Sequence, residues 1–170
     1  MKASPNCYIV IEHTESCKLK AYPDPKTGGA PWTCGWGSTG LDVRPGTVWS
    51  QDYANSRLII DVERREAIAN NALTVPMDQG QFDCFVDMIY NIGAGAKGVR
   101  DGIITLKSGT PSTFMRKLRT LDYDGAHDQI IKWVSPGSNV ERGLRRRRTM
   151  DQALWRGLDG AEAIRLGMLV

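Results

Sequence analysis

The chain has 170 residues and a mass of 18.8 kDa, a length typical of one domain. Hydrophobic residues make up 41% of it and charged residues 24%, which is ordinary globular usage and argues against disordered, collagen-like and integral membrane proteins. The net charge of +3 is unevenly spread: residues 1–92 hold 8 Lys/Arg against 11 Asp/Glu, whereas residues 93–170 hold 14 against 8. A basic C-terminal half suggests an anionic partner.

The N-terminus lacks the pattern of a secretory signal. Its apolar run has only five residues, whereas a signal needs ~7–15, and no segment approaches the ~20 apolar residues of a membrane span. We therefore expect a soluble protein without an integral membrane segment. To act outside the membrane it would need help from another protein.

The cysteines and histidines form no recognisable metal site. None of the four cysteines belongs to a CxxC pair, and the two histidines complete no zinc-binding spacing, so no metal is predicted. We expect free thiols, with a single disulfide formed after export as the alternative. The cysteines are Cys7, Cys17, Cys34 and Cys84.

The first half of the chain predicts a helix, a small sheet and a longer helix. Ser4-Pro5 is typical of a helix start, and this helix is expected to end near Thr14. Residues 17–49 are rich in Gly, Pro, Thr and Trp, which favours a small antiparallel sheet. Helical spacing of apolar residues then predicts a helix from about Ser50 to Leu73.

The second half predicts mostly helices. A strongly apolar helix should start at Asp78 or Gln79 and end at Gly93, with a core face of Phe82, Phe85, Val86, Ile89 and Tyr90. Residues 93–110 are a glycine-rich loop with room for one helical turn. Further helices are predicted at Thr110–Leu118, Tyr123–Val134, Glu141–Arg156 and Gly160–Leu166. The layout indicates an α+β fold.

Two carboxylates in the first part of the chain suggest acid–base chemistry. Glu15 falls at the end of the first helix, where the negative end of the helix dipole should raise its pKa, as a general acid requires. Asp24 follows nine residues later at the entry to the sheet, and Thr33 nine residues after that. Paired carboxylates are the usual apparatus of glycoside hydrolysis, but this spacing alone also fits two solvated side chains.

The residues around these carboxylates resemble the signature of the bacteriophage lysozymes, glycoside hydrolase family 24. Glu15, eight intervening residues and Asp24 are followed by Trp32-Thr33-Cys34-Gly35-Trp36-Gly37. Four more matches follow in the family's order, so that the resemblance spans about residues 4–156. They are Gln81–Gly93, Ser112–Leu118, Asp122–Ala126 with Trp133, and Gly143–Arg147.

The resemblance implies an endolysin that hydrolyses the β-1,4 bond between N-acetylmuramic acid and N-acetylglucosamine in peptidoglycan. By position, Glu15 would be the general acid, Asp24 would hold the attacking water and stabilise positive charge on the sugar, and Thr33 would orient that water. The family typically inverts the anomeric centre, which needs carboxylates ~6.5–9.5 Å apart. No cofactor is implied.

The implied fold is a two-lobed, α+β lysozyme-like domain over residues 1–170. The N-terminal lobe would cover about 1–50, a linking helix about 50–73 and a helical lobe about 76–170, with substrate in a cleft between the lobes. We expect a monomer that binds peptidoglycan and no nucleic acid. It would accumulate in the host cytoplasm and reach the wall in the periplasm through a holin lesion.

Two positions depart from the family pattern, and four further residues are candidate substrate contacts. Ser16 stands where the family usually has Gly, and Ser38 where it usually has His, a structural partner, so activity should survive. Further candidate substrate contacts are Trp32, Trp36, Asn91 and His13. The run Arg145–Arg148 points in four directions on a helix, so some of these arginines should pair with carboxylates; attraction to an anionic surface is a hypothesis.

Three alternative functions stay open at this point. A lytic transglycosylase would use Glu15 without water, although intact Asp24 and Thr33 argue against it. A peptidoglycan-binding protein that has lost catalysis is supported only by Ser38. A zinc amidase is remote, because the histidines lack ligand spacing.

Overall fold

A computed structural model describes residues 1–25 and 27–170, and it confirms the α+β class. Its described residues form seven helices and one three-stranded antiparallel sheet of order β1-β2-β3. None of these helices is both long and apolar enough to cross a bilayer. The elements are α1 (Pro5–Thr14), β1 (Lys18–Pro23), β2 (Trp32–Gly35), β3 (Ser38–Thr39), α2 (Gln51–Ala72), α3 (Gln79–Ile92), α4 (Thr113–Arg119), α5 (Tyr123–Ile130), α6 (Glu141–Trp155) and α7 (Gly160–Gly167).

The chain divides into two compact units. We call Ile11–Arg64 the hairpin unit, and Met1–Val10 together with Arg65–Val170 the helical unit. Helices α1 and α2 each contribute residues to both units. The end of α1, the whole sheet and most of α2 therefore belong to the hairpin unit.

The hairpin unit is built on a short sheet with a small apolar core. Tyr22 in β1 pairs with Thr33 in β2, which in turn pairs with Thr39 in β3. Because side chains alternate along a strand, one face of β2 carries Thr33 and the other carries its two neighbours. The core on that second face is the cluster Ala21, Cys34 and Val43, with Trp32 and Trp49 packed against it.

Helix α3 is the core helix of the helical unit, as its sequence predicts. Asp78 and Gln81 form a capping box at its start, and Gly93 at φ +88° ends it. Four of the five predicted core residues are buried, but Tyr90 is only half-buried, which corrects the prediction. The Tyr90 ring lies 5.0 Å from the Arg65 guanidinium, a cation–π contact that suits a position near solvent.

Two helix boundaries differ from the prediction because tertiary contacts override local signals. Helix α4 starts at Thr113 rather than Thr110, since Pro111 bridges to Thr105 as extended chain and the Ser112 hydroxyl caps the helix. Helix α5 ends at Ile130, four residues early, because the next backbone N–H groups bond three residues back, in turns. The glycine-rich loop between α3 and α4 contains no helix, but the N–H groups of Val99 and Arg100 both bond to the Ala96 carbonyl in a single turn.

All four cysteines are free thiols, which agrees with the first of the two expectations. Cys7, Cys34 and Cys84 are buried, and Cys17 is half-buried. Burial, followed by the negative charge of Asp151, raises the pKa of the Cys84 thiol well above its ordinary value. The Cys84 side chain therefore behaves as a small apolar group.

Leu121, in the turn between α4 and α5, has a left-handed backbone conformation that disfavours its side chain. Its φ is +60° and it is 57% exposed, while its N–H closes the end of α4 on Leu118. A left-handed conformation costs a non-glycine residue about 1–2 kcal/mol. We expect Leu121→Gly to raise the free energy of unfolding by about 1 kcal/mol, measured by urea denaturation.

The neighbouring substitution Thr120→Gly is the control for this prediction. Thr120 has φ −96°, which any residue adopts, and its hydroxyl bonds to the Lys117 carbonyl. Replacing Thr120 should lower the free energy of unfolding. Glycine relieves no backbone strain at this position and only increases the conformational entropy of the unfolded chain. Equal destabilisation by both substitutions would show that Leu121 carries no strain.

Candidate active site

Glu15 lies at the end of α1, against the turn between β2 and β3. Its N–H bonds to the Ile11 carbonyl at 2.8 Å, so the helical hydrogen bonding reaches Glu15 itself. A Cβ atom on Gly37 would lie 3.3 Å from Glu15 Oε2. Because Gly37 also has φ +92°, only glycine suits both the turn and this close approach. The carboxylate is thus packed against a fixed piece of backbone.

Tyr22 connects Glu15 and Thr33. Tyr22 pairs with Thr33 across β1 and β2, and their hydroxyls share a hydrogen bond. Burial, followed by the negative charge of Glu15, raises the pKa of Tyr22, although the Thr33 hydrogen bond opposes this shift. Tyr22 is therefore a neutral hydroxyl at physiological pH. The structure thus brings together Glu15 and Thr33, which the sequence predicts, with Tyr22, which it does not.

Asp24 directly follows β1 and closes the hairpin loop. Its N–H points at the Gly29 and Pro31 carbonyls, at 3.0 and 3.2 Å. One carboxylate oxygen accepts the Thr27 N–H at 3.3 Å. These bonds fix the Asp24 backbone two residues beyond Tyr22, at the same end of the hairpin unit as Thr33.

The two tryptophans of the motif lie in different surroundings. Trp32 packs on the apolar core of the hairpin unit and lines a groove of about 690 Å³ with residues that include Pro31, Leu41 and Val43. Strand alternation puts the Trp32 side chain on the opposite face of β2 from Thr33. Trp36 donates its indole N–H to Asn55 Oδ1 at 2.9 Å, which fixes its ring against α2. Sugar contact by either ring stays a prediction.

The other two candidate contact residues, His13 and Asn91, lie in different units. His13 is exposed on the last turn of α1, two residues before Glu15. Asn91 lies near the end of α3, where its side-chain oxygen accepts a hydrogen bond of 2.9 Å from Arg148. Arg148 thus holds the Asn91 side chain in the helical unit. A substrate role for either residue stays a prediction.

Ser38, the second departure from the family pattern, forms a buried anchor. Its hydroxyl donates to Asp61 Oδ2 at 2.6 Å, and both residues are only 3% exposed. Arg57 Nε and Arg64 Nη1 lie 3.5 and 3.2 Å from the Asp61 carboxylate. This cluster ties β3, and with it the turn at Gly37, to helix α2. Sequence reasoning missed Asp61, because nothing in α2 distinguishes it from an exposed carboxylate.

We expect Ser38→Ala to lower the free energy of unfolding by about 1–3 kcal/mol, since it leaves a buried carboxylate short of one donor. Ser16→Ala, at the other departure from the family pattern, is the matched control. Ser16 is exposed, so its replacement should stay within about 0.5 kcal/mol of wild type in the same urea titration. Equal free energies of unfolding for the two variants would show that the hydrogen bond from the Ser38 hydroxyl to Asp61 does not stabilise the fold.

The arginine run on α6 is partly internal, as its helical geometry predicts. Arg145 pairs with Glu141 at 2.6 Å, while Arg147 and Arg148 are buried against Asp87 and Asp151. Two of the four cations therefore lie inside the helical unit. The run does not form a continuous basic surface.

Comparisons with known proteins identify the family of the chain. The family model for phage lysozyme matches residues 12–151, which include Glu15, Asp24 and Thr33. An endolysin from Acyrthosiphon pisum secondary endosymbiont phage 1 is 30% identical over 159 residues, covering 91% of this chain and 98% of the relative. The endolysin of Salmonella phage P22 is 29% identical over 152 residues, covering 87% and 94%.

Solved structures show the same fold. The endolysin from Escherichia coli O157:H7 phage FAHEc1 superimposes with a TM-score of 0.69 at 28% identity, covering 91% of this chain and 93% of that one. Sequence, family model and fold agree over nearly the whole length. The chain therefore belongs to the phage lysozyme family, a family of glycoside hydrolases.

Proposed function

We propose that this protein is a muramidase that hydrolyses the β-1,4 bond between N-acetylmuramic acid and N-acetylglucosamine in peptidoglycan. The observation that carries the proposal is the juxtaposition of Glu15, Tyr22 and Thr33 at one end of the hairpin unit. Endolysin is also the name of the relatives that match most of the chain. The protein would thereby lyse the host and release phage progeny.

In the proposed reaction Glu15 is the general acid. Its carboxyl proton passes to the glycosidic oxygen as the bond from that oxygen to the muramic acid C1 breaks, and the leaving sugar departs as an alcohol. The packing of Glu15 against Gly37 supports this role, because a fixed acid reaches one oxygen reproducibly.

Asp24 and Thr33 would supply the nucleophile. Thr33 would bind a water molecule through its hydroxyl, which the Tyr22 hydrogen bond orients. Asp24 would accept the proton of that water as it attacks C1, and its negative charge would stabilise the oxocarbenium-like transition state. Attack from the face opposite the leaving group inverts the anomeric centre. Proton exchange with solvent then restores Glu15 and Asp24.

Mass spectrometry of the fragments released from purified peptidoglycan tests this proposal. Hydrated muramic acid ends that borohydride reduces would support hydrolysis, and NMR of early products would then show the α-anomer if the reaction inverts. Anhydro-muramic ends would contradict it in favour of a lytic transglycosylase. Free peptides would indicate an amidase, and binding without any release would indicate a protein that has lost catalysis.

We further propose that the protein acts as a monomer which accumulates in the host cytoplasm and reaches the periplasmic wall through a holin lesion. Expression in bacteria without a holin should leave the cells intact until a solvent or a holin permeabilises the cytoplasmic membrane. Lysis on expression alone would contradict this route. Sedimentation equilibrium at micromolar concentration should give a mass near 18.8 kDa.

A further inference from the structure

The loop between α3 and α4 folds back on itself and presents a compact tip. The N–H of Gly98 bonds to the Lys107 carbonyl at 2.8 Å, and Ala96 bridges to Arg100. These bonds bring residues 97–100 beside residue 107. We call residues 96–109 the basic loop.

Three cations of the basic loop lie exposed without an acidic partner among the described residues. They are Lys97, Arg100 and Lys107. The one acid in the loop, Asp101, accepts the backbone N–H of Lys107 at 2.7 Å and not its ammonium group. The aliphatic part of Lys97 lies across Gly109, where a Cβ atom would be 2.8 Å from Lys97 Cδ. The Arg100 guanidinium lies against Gly93, where a Cβ atom would be 2.6 Å from Arg100 Nη2. The loop therefore carries three exposed cations within the eleven residues 97–107.

An exposed apolar side chain lies between two of these cations. Val99 is 69% exposed and follows Gly98, which has φ +75°. The Val99 N–H bonds to the Ala96 carbonyl at 3.0 Å, so the turn fixes its backbone while its side chain stays in water. An exposed valine flanked by a lysine and an arginine combines the two features that favour an anionic bilayer surface.

We propose that the basic loop attaches this protein to anionic lipid bilayers, with Lys97, Arg100 and Lys107 on lipid phosphates and Val99 among the upper acyl chains. A bilayer fits better than a soluble polyanion, because only a bilayer offers an apolar phase to Val99. The loop also fits better than the arginine run of α6, where Arg147 and Arg148 are buried. Attachment would hold the enzyme at a membrane surface, a property beyond glycosidic hydrolysis.

Cosedimentation of the whole protein with vesicles tests this inference. Phosphatidylglycerol vesicles at 50 mM salt should bind wild type, whereas phosphatidylcholine vesicles should not. Each cation near an anionic surface contributes about fivefold in affinity, so Lys97→Gln/Arg100→Gln should weaken binding about 25-fold. The matched control is Arg142→Gln/Arg156→Gln, which removes the same charge from exposed positions at the two ends of α6 and should lose no more than threefold.

Further outcomes would overturn the inference. Equal losses in the two double variants would show that net charge and not the loop drives binding, and no binding by wild type would refute it directly. Val99→Ser should weaken vesicle binding at least threefold. Unchanged binding would contradict the insertion of Val99 into the bilayer, because the loop would then bind only through the charge of the lipid phosphates. All variants should retain the wild-type rate on purified peptidoglycan, so that failure here is distinguishable from failure of the proposed hydrolysis.

Discussion

Replacing Glu15 by Gln should lower the turnover of peptidoglycan at least a hundredfold, because a positioned general acid contributes about 10²–10⁴ in rate. Glutamine has the shape of the protonated carboxyl group and keeps its contact with Gly37, but it has no proton acidic enough to transfer. Binding should survive while turnover is lost. The measurement is the rate at which reducing ends appear in purified peptidoglycan, with binding followed by cosedimentation.

Glu12→Gln is the matched control for this substitution. Glu12 lies on α1 about one turn before Glu15 and is exposed, so the same chemical change there should leave turnover within twofold of wild type. If Glu15→Gln kept more than a tenth of wild-type turnover, Glu15 would not be the general acid. Such a result would also leave the position of Glu15 beside Tyr22 and Gly37 without a catalytic explanation.

Replacing Asp87 by Asn should cost about 3–5 kcal/mol of stability, since it leaves a buried cation unpaired. Arg147 donates two hydrogen bonds to Asp87, at 3.0 and 2.7 Å, and both side chains are buried. Burial opposes the ionisation of Asp87, but the charge and hydrogen bonds of Arg147 hold its pKa below its ordinary value. Since domains of this kind are stable by about 5–15 kcal/mol, much of the total depends on this pair.

Asp151→Asn is the matched comparison, with an effect that depends on pH. Burial, together with the neighbouring Asp87, raises the pKa of Asp151 well above its ordinary value despite the nearby Arg148. The folded protein therefore holds a proton that the unfolded chain releases above about pH 4. The stabilisation that Asp151 gives to the wild-type protein is fully present below that pH. It declines as the pH rises towards the pKa of Asp151 in the folded protein. Asparagine avoids that decline.

Urea denaturation at pH 5, 6 and 7 measures both effects. Asp87→Asn should be destabilised by several kcal/mol at each pH, because Arg147 keeps its charge throughout. The difference between Asp151→Asn and wild type should move in favour of the variant as the pH rises. The same loss in both variants, without dependence on pH, would show that the two buried carboxylates are equivalent.

Local signals predicted those helices whose ends depend on adjacent residues. Helices α1 and α3 match the prediction because their caps are formed within one turn: Pro5 at the first position of α1, and Asp78 with Gln81 at the start of α3. The start of α4 and the end of α5 were predicted wrongly. There Pro111 is drawn into a bridge with Thr105, and the chain after Ile130 continues in turns.

The sequence by itself determined the family, the α+β class and the three residues expected to catalyse, because Glu15, Asp24 and Thr33 lie in one short motif of fixed spacing. Only the tertiary structure decided what surrounds them. Tyr22 reaches Thr33 across two strands, and Asp61 meets Ser38 from a helix 23 residues further along the chain. Burial and hydrogen bonding between distant segments depend on how the chain packs, and no local periodicity encodes that packing.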